Sequence, residues 1–489
     1  MMKTKLLCII LLLITISVQA QQTVSQPPSG VWSLRQCIEY ALENNLTVQR
    51  GAYNVETSEV NLRQAKMAML PSLNASANYG FNWGRSVDPT TNFFTTSEIR
   101  STNPNANSSV TLFNGFRLQN TLKQNARSYE ASKEDLAKSK NDVSVNIATL
   151  FITVVFNKEQ LENAKFQLSS TQKQYERTKK QVDVGALPKS DELNLDAQVA
   201  TNELTVIQQE NALALSLLQL KQALQLPAST PFDVEVPEVK VEDFVLDQSR
   251  DQIYDIAKQT MPEIRSANLK VESAEYAAKA AKGNLYPQLS LQGSIGSRYS
   301  SAADGEHFVS DGGAPTPGTR TIGYVDVGGT NYDVLTDIMI PSGAYEPTYG
   351  YSEQLKDNIF RSAGLSLSIP IFNGLQSRSA YQRSVISYKV ATIAAKETEN
   401  TLRQNVETAY NDALAAAKTY NSSLRQVTAR EEAFRMTQQR YEIGAANYVE
   451  YQVAENDLFR AKSDLVRAKY DFIFKKKMLD FYQGKQIEF

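Results

Sequence analysis

The sequence predicts a mixed α and β membrane protein, built as an internal tandem duplication of long antiparallel α-helical hairpins and four β-strands. Three observations predict it. Two blocks of the chain repeat at constant offsets. Four segments alternate apolar and polar residues beside a proline or a Phe-Asn-Gly. Two long stretches without proline or glycine carry apolar residues at every seventh position.

The chain opens with a basic Lys3 and Lys5 and an apolar run over Leu6–Ile16. That run is shorter than the ~20 residues that span a bilayer, and Val18-Gln19-Ala20 reads as a small-residue cleavage site. Residues 1–20 are therefore expected to be a secretory signal and 21–30 a short linker. Cys8 lies inside the signal, which leaves Cys37 on an apolar helix stripe with Leu34 and Ala41, the place of a packed thiol.

The duplication sets the rest. Ala41–Gly80 falls on Ala257–Gly296, with Glu56 on Glu272, Pro71 on Pro287 and Leu73 on Leu289. Phe113-Asn114-Gly115 falls on Phe372-Asn373-Gly374, Tyr129 on Tyr388 and Gly185 on Gly444. The first repeat is expected over 31–226, a linker over 227–248, the second repeat over 249–484 and a tail over 485–489. Each repeat reads helix, strand, loop, strand, long helix, turn, helix.

Helices over Ser33–Leu70 and Asp251–Tyr286 lead into the first strands. Strands are expected at about 72–83, 108–116, 288–299 and 362–372. In the first, Leu73, Ala75, Ala77, Tyr79, Phe81 and Trp83 alternate with Ser72, Asn74, Ser76, Asn78, Gly80 and Asn82. In the last, Leu365, Leu367, Ile369 and Ile371 alternate with Gly364, Ser366, Ser368 and Pro370. Such a dyad suits a barrel with lipid outside and water inside, and equally a soluble sheet with one face on a core. The export signal and the lack of helices to cover the apolar faces favour the membrane. Four strands cannot close a barrel, and an open edge cannot face lipid, so other copies must supply the remaining strands.

Arg117–Val182 carries Ile147, Val154, Leu161, Leu168, Tyr175 and Val182 at heptad spacing. Val406, Ala413, Tyr420, Val427, Phe434 and Tyr441 repeat it in the second half. Sustained heptads mean helices packed along their length, and such a helix would run roughly 100 Å. Glycine permits the left-handed turn that ends a helix, so Gly185 and Gly444 mark hairpin tips, with return helices near Ser190–Gln225 and Tyr448–Tyr482. The halves differ in the loop 300–361, which is rich in Gly, Tyr, Asp and Ser, holds His307, and is expected to face the cell exterior.

Formal net charge is −2, from 51 Lys and Arg against 53 Asp and Glu, so no nucleic-acid footprint is indicated. The single His307 and the absence of a Ser/His/Asp, Cys/His or metal-ligand set argue against an enzyme and against a cofactor.

The duplicated unit, with Phe-Asn-Gly after each return strand and Val/Ile-Gly-Ala at each tip, resembles the TolC family of outer-membrane channel proteins. The resemblance covers roughly residues 31–484. It implies a homotrimer whose twelve strands form a barrel in outer-membrane lipid, continuous with an α-helical tunnel through the periplasm. It also implies a periplasmic adaptor protein and an inner-membrane transporter, here a proton-driven multidrug pump, with no catalytic residues in the channel itself. Asn114, Gly115, Asn373 and Gly374 become the strand-to-helix turns, and Gly185 and Gly444 the adaptor-docking turns. Glu450 matches an acidic ring at the tunnel entrance, whereas a second ring position falls on Val453. Tyr441 and Asp191 match a closed-state lock. A further link would need an arginine at Ala446 facing Ser190, and that arginine is missing. The function so implied is the exit duct of a tripartite efflux system for drugs or other small toxic compounds. The alternative is the duct of a type I protein secretion system, and a remoter one is a periplasmic coiled-coil protein with no pore.

Overall fold

The structure is a computed structural model, and it describes residues 30–87, 93–95, 98–237, 248–303, 305 and 307–485. The expected signal 1–20, nearly all of the linker 21–30 and residues 486–489 of the tail lie outside them.

The first half runs β1 (Gly30–Trp32), α1 (Leu34–Asn44), α2 (Leu46–Met67), β2 (Ser72–Asn82), β3 (Ile99–Phe113), α3 (Arg117–Asp183), α4 (Lys189–Ala223) and β4 (Phe232–Val234). The second half runs α5 (Arg250–Thr260), α6 (Pro262–Gly283), β5 (Gln288–Gly296), β6 (His307–Ser310), β7 (Thr316–Val327), β8 (Thr330–Ile340) and β9 (Gly343–Glu346). It ends with α7 (Tyr351–Asp357), β10 (Phe360–Ser368), α8 (Gln376–Glu442) and α9 (Tyr448–Tyr482). Both α3 and α8 are 67 residues long, and both return helices, α4 and α9, are 35. No helix among the described residues is long and apolar enough to cross a membrane.

Two compact units divide the chain, and each draws on both repeats. One takes in Met1–Glu56, Ala131–Ala267 and Ala394–Phe489; the other takes in Thr57–Glu130 and Asn268–Ile393.

In the first unit the lead-in helices begin alike. Ser33 and Ser249 each cap their helix and receive a reciprocal bond from Gln36 or Gln252, so the same capping box opens both repeats. The single helices expected over Ser33–Leu70 and Asp251–Tyr286 are each broken in two, at Asn45 and at Met261, where the backbone is extended. The two breaks occupy equivalent positions but arise differently. Asn45 accepts from the Thr47 amide at 2.8 Å through Oδ1, an aspartate-like cap for a new helix. Met261 precedes Pro262, whose ring disfavours a helical residue before it.

One core of this unit gathers Trp32, Leu34, Cys37, Ala41, Ile147, Phe151, Val154, Leu220, Leu224 and Val234. A second gathers Ile253, Tyr254, Ala257, Met261, Leu402, Val406 and Leu479. Cys37 is fully buried, and burial pushes its thiol up to about 12, so it is a packing residue. The linker contributes β4, which pairs in parallel with β1 and is tied to α3 by Lys158, whose Nζ lies 2.7 Å from Asp233 Oδ2. Linker residues 238–247 lie outside the described set.

In the second unit the four long strands form one antiparallel sheet in the order β10-β5-β3-β2, with a short pairing of Tyr299–Ser300 on β3. Both repeats use one hairpin register: Ala75 faces Ala106 in the first, and Leu291 faces Leu365 at the equivalent positions of the second. The register carries an apolar face across all four strands, through Leu73, Tyr79, Val110, Leu289, Leu291, Ile295, Leu365 and Leu367. The other face is serine, asparagine and glutamine, with Ser294 and Ser362 hydroxyls 2.7 Å apart. The apolar face is uncovered in the single chain: Leu73 is 78% exposed and Leu365 67%.

Three strand expectations are corrected. The return strand expected at 108–116 starts at Ile99, because Arg100–Asn107 pair with β2 despite their polar sequence. The strand expected at 362–372 is over by Ser368; Ile369–Phe372 do not pair, since Pro370 removes a backbone donor. In the return strand, where Val110 and Leu112 alternate with Ser109 and Thr111 in the sequence, a bulge between Thr111 and Phe113 sets Phe113 opposite Leu289, so Phe113 takes the place on the apolar face expected of Leu112. The loop 300–361 is a folded ladder, taken up below.

Candidate functional site: the hairpin tips and the strand-to-helix turns

The two tips are built alike. Gly185 and Gly444 both have φ of +75°. The Gly185 amide donates to Val182 O at 2.9 Å and the Ala186 amide to Gln181 O at 2.8 Å. Gly444 and Ala445 donate likewise to Tyr441 and Arg440. This is a Schellman ending, which satisfies the last carbonyls through a left-handed residue. A Cβ at either glycine would meet nothing within 4 Å, so the backbone angle, and not space, calls for glycine. Val184 and Ile443, just before the glycines, are exposed.

Glu450 sits in the first turn of α9. Asn447 caps that helix, accepting from the Glu450 amide at 2.9 Å. The Glu450 carboxylate also takes a bond from Asn447 Nδ2 at 3.2 Å and lies 3.4 Å from Arg440 Nη2. Arg440 also donates to Ala445 O at 3.1 Å. An arginine thus does reach this tip, from α8 instead of from position 446. Sequence matching missed it because it sits on the other side of the turn.

Tyr441 and Asp191 share no hydrogen bond in the described chain. Tyr441 instead packs on Tyr451, ring centroids 5.0 Å apart, in a cluster with Leu195, Tyr448, Tyr175 and Phe434. Asp191 takes a long 3.5 Å bond from Ser190. Burial, with Glu455, Tyr441 and Asp191 nearby, raises the Tyr448 hydroxyl above its ordinary range, and this buried hydroxyl finds no protein partner.

The strand-to-helix turns are also duplicated, and each places two successive residues in the left-handed region: Gly115 and Phe116 at +63° and +62°, Gly374 and Leu375 at +61° and +64°. Their surroundings differ. A Cβ on Gly115 would lie 2.6 Å from Gly283 O and 2.8 Å from Tyr286 Cβ, whereas one on Gly374 would meet nothing within 4 Å. Asn114 is buried and caps α3 through Oδ1, 3.4 Å from the Leu118 amide; Asn373 Nδ2 instead donates to Ser377 Oγ at 2.6 Å. No group of metal-ligating side chains gathers among the described residues.

A profile of the family described as "outer membrane efflux protein" matches residues 37–225 and 253–480, once for each repeat. The chain belongs to the outer membrane efflux protein family. This is the TolC-like family that the Phe-Asn-Gly and tip-glycine motifs resemble, and it places the chain in the outer membrane with its long helices in the periplasm. Solved outer membrane proteins share the fold. CusC is similar at a TM-score of 0.73 and 16% identity, covering 96% of this chain and 97% of that one. VceC from Vibrio cholerae is similar at 0.71 and 14%, covering 93% and 97%. CmeC from Campylobacter jejuni is similar at 0.70 and 14%, covering 96% and 90%. No curated protein matches this outer membrane efflux protein by sequence.

Proposed function

We propose that the chain is the outer-membrane exit duct of a tripartite efflux system, working as a homotrimer that passively conducts drugs or other small toxic compounds. The observation that carries this reading is the uncovered apolar face on a sheet with two open edges. In lipid such edges must pair. The sheet supplies its own rule for doing so. At its centre β3, the return strand of the first repeat, pairs with β5, the first strand of the second, with Ala106 opposite Ile295. The free edges, β10 and β2, are the equivalents of those two strands. Repeating the central pairing between copies sets Leu365 of one copy opposite Tyr79 of the next. It also brings Met67 and Leu70 of the next copy to Gly374, as Gly283 and Tyr286 cover Gly115 within the chain. Such a head-to-tail contact closes a ring, and three copies give twelve strands.

The family's description as efflux proteins fits an exit duct, and the exposed Schellman turns at Gly185 and Gly444 offer the adaptor a rigid docking surface. We assign Glu450 to the tunnel entrance. Its Arg440 neighbour makes the ring one of paired charges, with a weaker field than bare carboxylates would create. Glu450→Ala should lower cation selectivity in planar bilayers; unchanged selectivity removes Glu450 from the entrance. Tyr441 acts here through its ring, so Tyr441→Phe should leave resting conductance unaltered. A rise would mean that the hydroxyl bonds Asp191 in the assembled channel.

The deciding experiment places a photoreactive residue at Ala445 in living cells and identifies what it captures. Asn447 is avoided because it caps α9. Capture of an adaptor of a proton-driven multidrug pump supports the proposal. Capture of an adaptor paired with an ATP-driven protein exporter moves the assignment to secretion, and capture of nothing removes the docking role.

A further inference from the structure

The connection between β5 and β10 holds a structure that neither the barrel nor the tunnel requires. It is a ladder of two sections. The stem pairs β6 with β9, and the outer section pairs β7 with β8. Asp311 locks the joint between them, accepting from the Gly313 amide at 2.8 Å and from Ser342 Oγ at 2.9 Å. These bonds hold its carboxyl below the ordinary range. The outer end is a two-residue turn, Gly328-Gly329, at φ of +63° and +87°, with Asp326 Oδ1 taking the Gly329 amide at 2.8 Å. Two left-handed residues suit the twist of a tight hairpin, so the register is fixed.

That register sorts the side chains. Val325 faces Tyr332, Val327 faces Thr330 and Gly323 faces Val334. With Ile338 and Ile340 further down the same strand, they make one face of β-branched aliphatic residues. The other face interleaves Asp326, Asp333 and Asp337 with Tyr324, Leu335 and Met339. The aliphatic face is open in the single chain: Val325 is 52% exposed, Val327 61% and Tyr332 60%. Neither strand pairs with the main sheet. A lone two-stranded hairpin is marginal in water at best.

We propose that the aliphatic faces of these hairpins pack on one another in the assembled homotrimer. The inference rests on the trimer reading above. Continuity supports it: the hairpin is carried on the chain that leads into β10, the edge that pairs with the next copy. Composition supports it as well, apart from one Arg320 opposite Thr336 nearer the joint. Valine and isoleucine with a single tyrosine resemble the core of a permanent assembly, whereas surfaces for exchangeable partners concentrate tryptophan and arginine. Charge decides which face turns inward. Three aspartates from every copy would repel one another if the other face converged, against a single Arg320 per copy on the aliphatic face.

The test uses the full-length chain with single cysteines at Val334 or Val325 on the aliphatic face, and at Asp333 on the acidic face. Cys37 is buried and stays silent. The purified protein is sized by sedimentation and then treated with a short bis-maleimide. In trimers, Val334→Cys and Val325→Cys should yield covalent dimers, capped at about two of every three chains because one cysteine per copy leaves one chain unpaired. Asp333→Cys should remain monomeric on a denaturing gel. A sedimenting trimer with no cross-link from either aliphatic position, or with equal cross-linking from Asp333→Cys, overturns the proposal and leaves the face to lipid or to another protein. A chain that does not sediment as a trimer overturns the assembly reading itself, and this proposal with it.

Discussion

Between Val143 and Leu161, helix α3 buries Val143, Ile147, Ala148, Phe151, Val154, Val155 and Leu161, with Gln160 the one polar residue among them. Between Gln167 and Thr178 it buries Gln167, Thr171 and Thr178 at the same kind of spacing. The helix is one and its periodicity unbroken, but the chemistry of its buried stripe changes from aliphatic to polar on the way to the tip. Beside the tyrosine cluster around Tyr451, the partners in the distal stretch are polar too. Asn202 donates to Thr171 Oγ1 at 2.8 Å, Gln198 to Asn202 at 3.0 Å and Gln452 to Gln198 at 2.6 Å, a relay across α3, α4 and α9. Glu455 is buried there and accepts from Ser170 at 3.0 Å. Gln167, Gln174, Thr178 and Tyr448 each leave a buried polar atom without a protein partner. Hydrogen bonds in place of apolar contacts give little net stability, and each orphan costs about 1–3 kcal/mol. Local opening is easiest where apolar contacts are fewest. The distal coil is therefore the end that gives way first, which is where an entrance that opens would need it.

The largest effect is expected at the aliphatic end. Phe151→Ala should cost about 3–5 kcal/mol, because it leaves a cavity in a fully packed core, as read from denaturant unfolding followed by helix content. A cost near that of a distal polar residue would abolish the contrast. The distal end should answer differently. Asn202→Leu alone should cost about 1–3 kcal/mol by stranding the Gln198 amide and leaving Thr171 only its bond to Gln167 O, and adding Thr171→Val should recover part of it. Strict additivity in that double-mutant cycle would mean the relay is not a unit.

The smallest expected effect is a pH slope. Burial raises the Glu455 carboxyl above the ordinary carboxylate range, and Ser170 offsets only part of this. The folded state then binds a proton more tightly than the unfolded one. Its contribution to stability is complete below the unfolded pKa and is lost as pH rises through the folded value. Tyr448 and Tyr451 are the ionisable neighbours on the same helix, and burial, with Glu455 near, holds both neutral in this window. Acidification should therefore slow hydrogen exchange in the distal coil more than in the proximal one, and Glu455→Gln should flatten that difference. An equal pH response in the variant would assign the slope to another group.

The heptad reading shows how far the sequence reached. The series Ile147, Val154, Leu161 is buried as expected, but Leu168, Tyr175 and Val182 are only half-buried. Beyond Ala164 the buried positions are polar: Thr171 and Thr178 continue Ala164 at heptad spacing, with Gln167 beside Leu168. A search for apolar periodicity passes over these positions, since glutamine and threonine look like solvent-facing residues until their partners are known. The loop 300–361 shows a similar limit. Its β-hairpin was legible in the alternation of Thr330–Ile340 around Gly328-Gly329, but its Gly and Asp content reads as loop. At the tips, the glycines were readable because a positive φ leaves a mark in the sequence, whereas the Arg440–Glu450 approach joins two helices across a turn and leaves none.

The sequence by itself determined the duplication, the two hairpin tips, the four barrel strands and their apolar face. Each of these is local: a period, a glycine or a proline that acts within a few residues. Only the tertiary structure decided the bulge that turns Phe113 to the apolar face, the polar relay inside the distal coil and the sheet order β10-β5-β3-β2. These depend on which residues from distant parts of the chain meet, and a polar side chain becomes a core residue only once its partner is in place.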